Sequence, residues 1–269
     1  MTSLQTATTT TLKGFTELVQ DSLTTGTTLW YRGCSQATYP LTPKLYRHPT
    51  KRSLSDFLEM ESQILERFEQ RSVPYLAQTP KSDWDFLFLM QHHGVPTRLL
   101  DWTENPYIAM YFAVGYQRLP FAVKSDEVDN AAAIWILNPV EWNRAALQHL
   151  SYDKGVLSVK DDVLKGYAPN SKDTLMNNVP LALWGTHNSQ RIVAQRGTFT
   201  IFGKSVSPME QLLETHPFPQ SALTKVRLPY GARLELRKAM FSMGFTDSMV
   251  FPSLDGLGTE ISRIFQFED

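Results

Sequence analysis

The stretch QHHGVPTRLLDWTENPYIAMYFA, residues 91–113, is the most informative segment of the chain, because a strand and a helix follow one another within it. Its RLLDW sequence comes directly after a Gly-Val-Pro turn signal and predicts a short strand. Asn105 is of a type that caps helix N-termini, and Pro106 suits the first helical position. The stretch therefore predicts a strand that leads into a helix ending near residue 117.

Helices dominate the first half of this chain, and strands dominate the second half. Apolar residues at spacings of three and four predict most of the helices, and short apolar or alternating runs predict the strands. We expect further helices at 12–23, 53–71, 83–92, 139–149, 230–243 and 258–267. We expect further strands at 28–33, 131–137, 181–184, 190–195, 197–202 and 224–228. This order predicts an α+β fold rather than regular βαβ winding.

The predicted domain organisation is simple. The Thr-rich residues 1–11 are expected to be a disordered tail. In the remainder we find no internal repeat and no long linker rich in Pro, Gly or Ser. Residues 12–269 are therefore expected to form a single domain with a helical insertion near its N-terminus.

Composition and charge exclude several classes of protein. Of the 269 residues, 42% are hydrophobic and 20% are charged, which is a globular composition and excludes general disorder. The 26 basic and 27 acidic residues give a net charge of -1. That balance argues against nucleic-acid binding through bulk positive charge, although a local basic groove remains compatible with it.

Cysteine content and hydropathy bear on the chemistry and on the compartment. The single cysteine, Cys34, excludes an internal disulfide and a zinc cluster of cysteines, and we expect no metal site. No apolar run is long enough to span a bilayer, and the N-terminus lacks the pattern of a signal peptide. The sequence therefore predicts a cytoplasmic protein with no membrane partner.

The first candidate for a functional segment is LWYRG, residues 29–33. Arg32 follows an aromatic strand, and an arginine is costly to bury without a partner. Gly33 allows a ligand or another backbone to approach closely. Arg32 is either an anion clamp at the mouth of a cleft or a salt-bridged residue that closes the strand.

The second candidate is the polar part of residues 91–103. Its hydrogen-bonding groups are too numerous for a mere connector: His93, Thr97, Arg98, Asp101 and Thr103. The following helix would direct its N-terminal N–H groups at this region, where they suit a phosphate or carboxylate. The alternative is that Arg98 and Asp101 pair with each other in the core.

The third candidate is the predicted strand at 190–195. In a strand Arg191, Val193 and Gln195 share one face, and this polar row ends beside Gly197. Such a row is typical of a strand beside a cleft, or else of an exposed edge strand.

Several motifs in these segments resemble the FRG domain of bacteria and phages. They are WYRG (30–33), LTPKLYR (41–47), QHHGVPTRLLDWT (91–103), NPYIAMYFA (105–113), RIVAQRGTF (191–199) and FPSLDGLG (251–258). The resemblance spans roughly residues 28–262. The FRG domain is in turn similar to the ADP-ribosyltransferase fold, a split β-sandwich with helices around an NAD-binding cleft.

The resemblance implies roles for individual residues. The catalytic group would comprise Arg32, Asp101, Thr103 and Gln195. Cofactor-binding residues would be Tyr31, Gly33, His93, Thr97, Arg98, Trp102 and Phe199. NAD would serve as a substrate, without a metal ion. The usual catalytic glutamate falls on Gly197 here, so another acid would have to stabilise the positive charge on the ribose; Asp101, Glu104 and Glu235 are the candidates.

The function implied by the resemblance is NAD-dependent ADP-ribosyl transfer by a toxin or phage-defence effector. Its partners would be NAD, an RNA, DNA or protein acceptor, and an antitoxin. The alternatives are an NAD glycohydrolase and a non-catalytic module that binds a nucleotide or a partner. A cleft that holds Arg32, Asp101 and Gln195 together favours the enzyme, whereas a cleft without a carboxylate favours the binding module.

Overall fold

A computed structural model describes residues 3–23, 28–76, 79–115, 130–171, 176–186 and 189–267. The chain is a mixed α/β protein built on a seven-stranded sheet. The strands are β1 (Gln5–Thr8), β2 (Trp30–Cys34), β3 (Leu99–Thr103), β4 (Ala132–Leu137), β5 (Leu181–Leu183), β6 (Gly197–Ile201) and β7 (Leu223–Leu228).

Ten α-helices of the described ranges surround the sheet. In chain order they are α1 (Leu12–Leu23), α2 (Leu54–Ser72), α3 (Asp83–His92), α4 (Pro106–Met110), α5 (Pro139–Ala146), α6 (Gln190–Gln195), α7 (Met209–Thr215), α8 (Arg233–Ser242), α9 (Asp247–Val250) and α10 (Leu254–Ile264). Helix α4 continues as a π-helical turn, Tyr111–Gly115. None of the described helices is both long enough and apolar enough to cross a membrane.

The strands follow the order β1-β7-β4-β2-β3-β6-β5 across the sheet. Strand β1 runs parallel to β7, and the other pairings are antiparallel. The sheet is nearly divided in the middle, because β2 and β3 share a single pair of opposed residues, Tyr31 and Thr103. The expected sandwich of two sheets is thus a single sheet whose two halves, β1-β7-β4-β2 and β3-β6-β5, diverge from one point of contact.

Alternating side chains place two cores on opposite sides of the first half-sheet. Tyr31 and Ile134 point to the side covered by α1, α4 and α8, where they join a cluster with Phe15 and Ala109. The larger core lies on the other side and includes the buried Trp30. The alternation in β2 thus sends Tyr31 to one side and its neighbours Trp30 and Arg32 to the other.

Gly33 is required by packing between β2 and α4. A Cβ atom at this position would lie 1.8 Å from the carbonyl oxygen of Ala109 and 2.8 Å from the backbone nitrogen of Ala113. The close approach that the sequence predicted is therefore to another backbone. This contact fixes the distance between β2 and the helix that follows β3.

Replacing Gly33 by alanine is expected to lower the free energy of unfolding by about 3 kcal/mol or more, because backbone atoms cannot yield as a side chain can. Gly258→Ala is the matched control, since no atom of the described part of the chain lies within 4 Å of its Cβ position. In the helical Gly258 the substitution should be neutral or stabilise by up to about 1 kcal/mol. Urea titrations of both variants make the comparison; similar stabilities for the two would show that β2 and α4 can move apart.

Two predictions about the elements were wrong. Residues Gln5–Thr8 belong to the sheet as β1, paired with β7, and are not part of a disordered tail. Residues 190–195 form helix α6 instead of a strand, since the Ser189 side chain accepts a hydrogen bond from the Ile192 N–H and caps the helix. Arg196 then adopts a left-handed conformation, at φ 47°, and ends the helix one residue before β6.

Candidate functional site

A cleft of about 230 Å³ lies where β2 and β3 separate. We call it the central cleft. It is lined by all four residues that the resemblance designates catalytic: Arg32, Asp101, Thr103 and Gln195. It is also lined by four of the seven residues designated cofactor-binding: Tyr31, Gly33, Trp102 and Phe199. Residues from β2, β3, α6 and β6 therefore meet at the point where the sheet divides.

Arg32 links the two halves of the sheet across this cleft. Its Nη1 donates to the main-chain oxygen of Asp101 at 2.6 Å and lies 3.8 Å from the Asp101 carboxylate. The Asp101 side chain is 55% exposed, so the carboxylate remains accessible from solvent. Arg32 therefore has features of both predicted roles. It joins β2 to β3 through Asp101, and it also places a cation at the cleft.

Gln91 orients the Asp101 carboxylate, a role that the sequence analysis did not assign. The Gln91 Nε2 donates to Asp101 Oδ2 at 2.7 Å, and the Thr97 hydroxyl donates to the Gln91 Oε1. A hydrogen-bond chain therefore runs from the buried Thr97 to the exposed Asp101. The available signal was an amide that follows the apolar run Phe86–Met90 of α3.

Thr103 and Gln195 connect α6 to its neighbours. The Thr103 hydroxyl donates to the main-chain oxygen of Gln195 at 2.6 Å and accepts from the Asn105 N–H. The Gln195 Nε2 donates to the Val250 carbonyl at 3.1 Å. Both side chains line the cleft, but these bonds also anchor the end of α6 between β3 and α9.

The N-terminus of α4 is not free to bind an anion as the sequence predicted. Asn105 Oδ1 accepts from the N–H groups of Tyr107 and Ile108, at 2.9 and 3.4 Å. The predicted cap at Asn105 is confirmed. Because the cap occupies these N–H groups, any phosphate at this site depends on side chains.

Tyr31 is a lining residue of the cleft and carries a buried hydroxyl without a partner in the described part of the chain. Its side chain is 2% exposed, and its hydroxyl has no hydrogen-bond partner among the described residues. Burial raises the pKa of Tyr31 to about 12, so the hydroxyl keeps its proton at neutral pH. A buried polar atom without a partner is costly, which makes it a candidate ligand contact.

The aromatic walls of the cleft are held in place by their own contacts. The Trp102 Nε1 donates to the Thr200 hydroxyl at 3.1 Å, and Phe199 packs on Phe88 with ring centroids 5.0 Å apart. Gly185 leaves room for Phe199, because a Cβ there would come within 2.2 Å of the ring. A flat ligand ring in the cleft would meet preformed aromatic surfaces.

Arg98 is a structural residue, and its predicted role in cofactor binding is wrong. It is 1% exposed and forms a salt bridge of 2.7 Å with the equally buried Glu61. Its remaining donors reach the Tyr167 and Phe202 carbonyl oxygens at 2.8 and 3.1 Å. The proposed pairing with Asp101 is also wrong, because Arg98, which precedes β3, pairs with Glu61, whereas the Asp101 carboxylate lies near Arg32.

Thr97 and His93 also lie outside the central cleft. Thr97 is fully buried, and its hydroxyl accepts from the Leu99 N–H at 3.1 Å, so it shapes the start of β3. His93 ends α3 and is exposed. It borders two neighbouring pockets, so any contact with a ligand would lie beyond the cleft.

His92 and Arg191 line the cleft; Arg191 belongs to the third candidate segment, and neither residue had been assigned a catalytic or cofactor-binding role. Burial lowers the pKa of His92 to about 4, with smaller effects from His93 and Arg191, so the imidazole is neutral at pH 7. Arg191 lies over the Phe251 ring, with its guanidinium carbon 4.6 Å from the ring centre. Arg191 and Gln195 are four positions apart in α6, so they share a helical face that borders the cleft.

Two larger pockets adjoin the central cleft. The first, which we call the basic pocket, has a volume of about 480 Å³ and extends from Arg32 and Asp101 toward Lys44 and Arg47. The second, the helix pocket, has a volume of about 770 Å³ and lies between α6 and the start of α10. Each shares His92 and Arg191 with the cleft, so the three spaces are contiguous.

Comparison with known protein families identifies one match. The model of the FRG domain family matches residues 27–120, which include β2, α2, α3, β3 and α4. No curated protein and no solved structure matches the chain significantly. The matched range contributes Arg32 and Asp101 to the central cleft, whereas Gln195 comes from the remainder of the chain.

Proposed function

Because residues 27–120 match the FRG domain family, we propose that the protein is an ADP-ribosyltransferase that uses NAD as its substrate. The observation that carries this proposal is that Arg32, Asp101 and Gln195 line one cleft. If the protein were a non-catalytic binding module, we would expect a cleft without a carboxylate. This cleft contains the carboxylate of Asp101.

The architecture supports the proposal in a second respect. An ADP-ribosyltransferase-like fold places its nucleotide between two groups of strands that separate from one another. Here the half-sheets β1-β7-β4-β2 and β3-β6-β5 separate beyond Tyr31 and Thr103, and the cleft lies in that gap. We therefore propose an ADP-ribosyltransferase-like variant whose two halves remain joined in one sheet.

The residues of the cleft suit the proposed reaction. NAD supplies a ribose whose C1′–nicotinamide bond breaks, with the bonding electrons leaving on nicotinamide. Asp101 would stabilise the positive charge that develops on the ribose. A bond from C1′ to an oxygen or nitrogen of the acceptor then forms, and the acceptor proton passes to a base or to water.

The walls of the cleft also suit the leaving group. Trp102 and Phe199 line the cleft, almost fully buried and fixed by their own contacts, so a nicotinamide ring would lie against a rigid wall. The Tyr31 hydroxyl can donate to a polar atom of the same ligand. These side chains are held before the ligand arrives, which lowers the entropic cost of binding.

The proposal is tested by incubating the full chain with NAD labelled in its adenylate half and a cell extract. The expected result is labelled macromolecular material that depends on the protein. Loss of the label on nuclease treatment identifies a nucleic-acid acceptor, and loss on protease treatment identifies a protein. Release of nicotinamide without transferred label would identify an NAD glycohydrolase, and no consumption of NAD would refute the enzyme.

Tyr31→Phe is expected to make the protein more stable and, at the same time, to weaken its binding of NAD. Removing an unpaired buried hydroxyl should raise the free energy of unfolding by about 1 kcal/mol, since the polar atom no longer lacks a partner. The same change should weaken NAD binding by about tenfold, because a ligand hydrogen bond is lost. Denaturant titration and calorimetry measure the two effects. A less stable variant with unchanged affinity would mean that the hydroxyl serves the fold.

A further inference from the structure

We infer that the basic pocket binds the diphosphate of the dinucleotide, and that the positive charges of Lys44 and Arg47 direct the diphosphate to this pocket. This inference rests on the proposed function, because it specifies where the charged part of NAD would lie. It assigns a ligand role to the LTPKLYR motif, residues 41–47, which the predicted site did not include.

The central cleft is too small for a whole dinucleotide. Its volume is about 230 Å³, whereas pockets for ligands of drug size occupy about 300–1,000 Å³. A nicotinamide ring and part of its ribose therefore fill the cleft, and the rest of the molecule must extend into an adjoining space. The basic pocket and the helix pocket are the two such spaces described above.

Charge distinguishes the two pockets. Among the residues that the structure describes, the basic pocket is lined by four cationic side chains and one carboxylate: Arg32, Lys44, Arg47, Arg191 and Asp101. The helix pocket is larger but balanced, with two arginines and two aspartates among its described lining residues: Arg191, Arg263, Asp247 and Asp255. A diphosphate carries two negative charges near neutral pH, so the excess of cations directs it into the basic pocket.

The helical turn Leu45–Arg47 holds the two cations in a fixed arrangement. Leu45 and Tyr46 are buried, whereas Lys44 and Arg47 are exposed on the other side of the turn. Residues three apart in a 3₁₀ turn lie above one another, so Lys44 and Arg47 share a face. The Leu45 N–H donates to the Thr97 carbonyl at 3.2 Å, which attaches this turn to the segment before β3.

Arg47 lines the basic pocket together with Arg32, and the Asp101 carboxylate offsets part of their mutual repulsion. Its pKa is lowered by partial loss of hydration and then by the charge of Arg32. Within the described ranges Arg47 forms no salt bridge, whereas Arg32 lies 3.8 Å from the Asp101 carboxylate. A bound anion relieves the repulsion between two guanidinium groups that line one pocket, and guanidinium groups match phosphate oxygens in geometry.

The test measures the affinity of the full chain for ADP-ribose, which contains the diphosphate and cannot be turned over. We expect Arg47→Ala to lower the affinity by about tenfold and the double variant Lys44→Glu, Arg47→Glu to lower it by about 100-fold. The matched controls are Arg144→Glu and Lys160→Glu, two exposed cations outside the three pockets, and these should leave the affinity unchanged. Thermal unfolding of each variant checks that it is folded.

The outcomes separate this inference from the proposed function. Binding of ADP-ribose that depends on Arg47, without any transfer of label from NAD, keeps the diphosphate site and refutes the transferase. Unchanged ADP-ribose affinity in the double variant, or no binding by the wild type, overturns the inference. A single-stranded oligonucleotide is the second probe: if its binding falls in the double variant while ADP-ribose binding does not, the basic pocket serves a nucleic acid and the inference is wrong.

Discussion

Asp101→Asn is expected to lower the rate of NAD-dependent labelling by about 100-fold or more, because the side chain loses the charge that stabilises the developing cation. The fold should be retained, since asparagine has the same shape and its oxygen can still accept from the Gln91 amide, which lies 2.7 Å from the carboxylate. Initial rates of labelling at saturating NAD measure the effect, and the thermal midpoint of the variant checks its folding.

The controls for this prediction are the other candidate acids. Glu235 lies outside the cleft and pairs with Lys238 at 2.9 Å on the exposed surface of α8, as expected for a solvated side chain. Glu104 follows β3 but does not line the cleft either. Glu235→Gln and Glu104→Gln should therefore label at rates close to the wild type. Near-normal turnover by a folded Asp101→Asn protein would mean that Asp101 is the wrong acid.

Glu61→Leu is expected to lower the free energy of unfolding by about 3–5 kcal/mol, the cost of leaving a buried charge without its partner. The partner is Arg98, which is 1% exposed and cannot reach water without opening the core between α2 and β3. Denaturation in urea measures the loss as a lower midpoint with an unchanged slope.

A double variant separates the charge from the packing. Glu61→Leu with Arg98→Met removes both charges and should recover much of the loss, since an apolar pair often replaces a buried ion pair at little cost. Asp162→Asn, which breaks the exposed pair of Asp162 with Lys165, should leave the midpoint unchanged. If the double variant is no more stable than Glu61→Leu alone, the hydrogen bonds from Arg98 to main-chain oxygens contribute more to stability than the pairing of its charge does.

Much of the secondary structure follows from local signals. The predicted helix at 12–23 is confirmed by α1 with the same bounds, and the helix at 83–92 is confirmed by α3. The Asn105 cap was also correct, because a cap depends on a few adjacent residues. These features need only the spacing of apolar residues and the identity of the residues at helix ends.

The prediction failed at residues 190–195, where the same pattern of residues suits either a strand or a short helix. The sequence QRIVAQ, residues 190–195, alternates like a strand, but a Ser189 cap and the left-handed Arg196 make it a helix. The prediction that Arg191 and Gln195 share a face was nevertheless correct, because residues four positions apart lie on the same side of a strand and of an α-helix. It placed Val193 wrongly, since that side chain is 55% exposed instead of facing the cleft.

The polar segments could be found in the sequence alone, as could the FRG resemblance that the match at residues 27–120 confirms. How each polar residue is used became clear from its contacts in the folded chain. Arg98 and Asp101 lie three positions apart in one segment, yet one is buried against Glu61 and the other is exposed at the cleft. The reason is physical: partners such as Glu61 are distant in sequence, and the gap between β2 and β3 arises from pairing across the sheet, which no local pattern records.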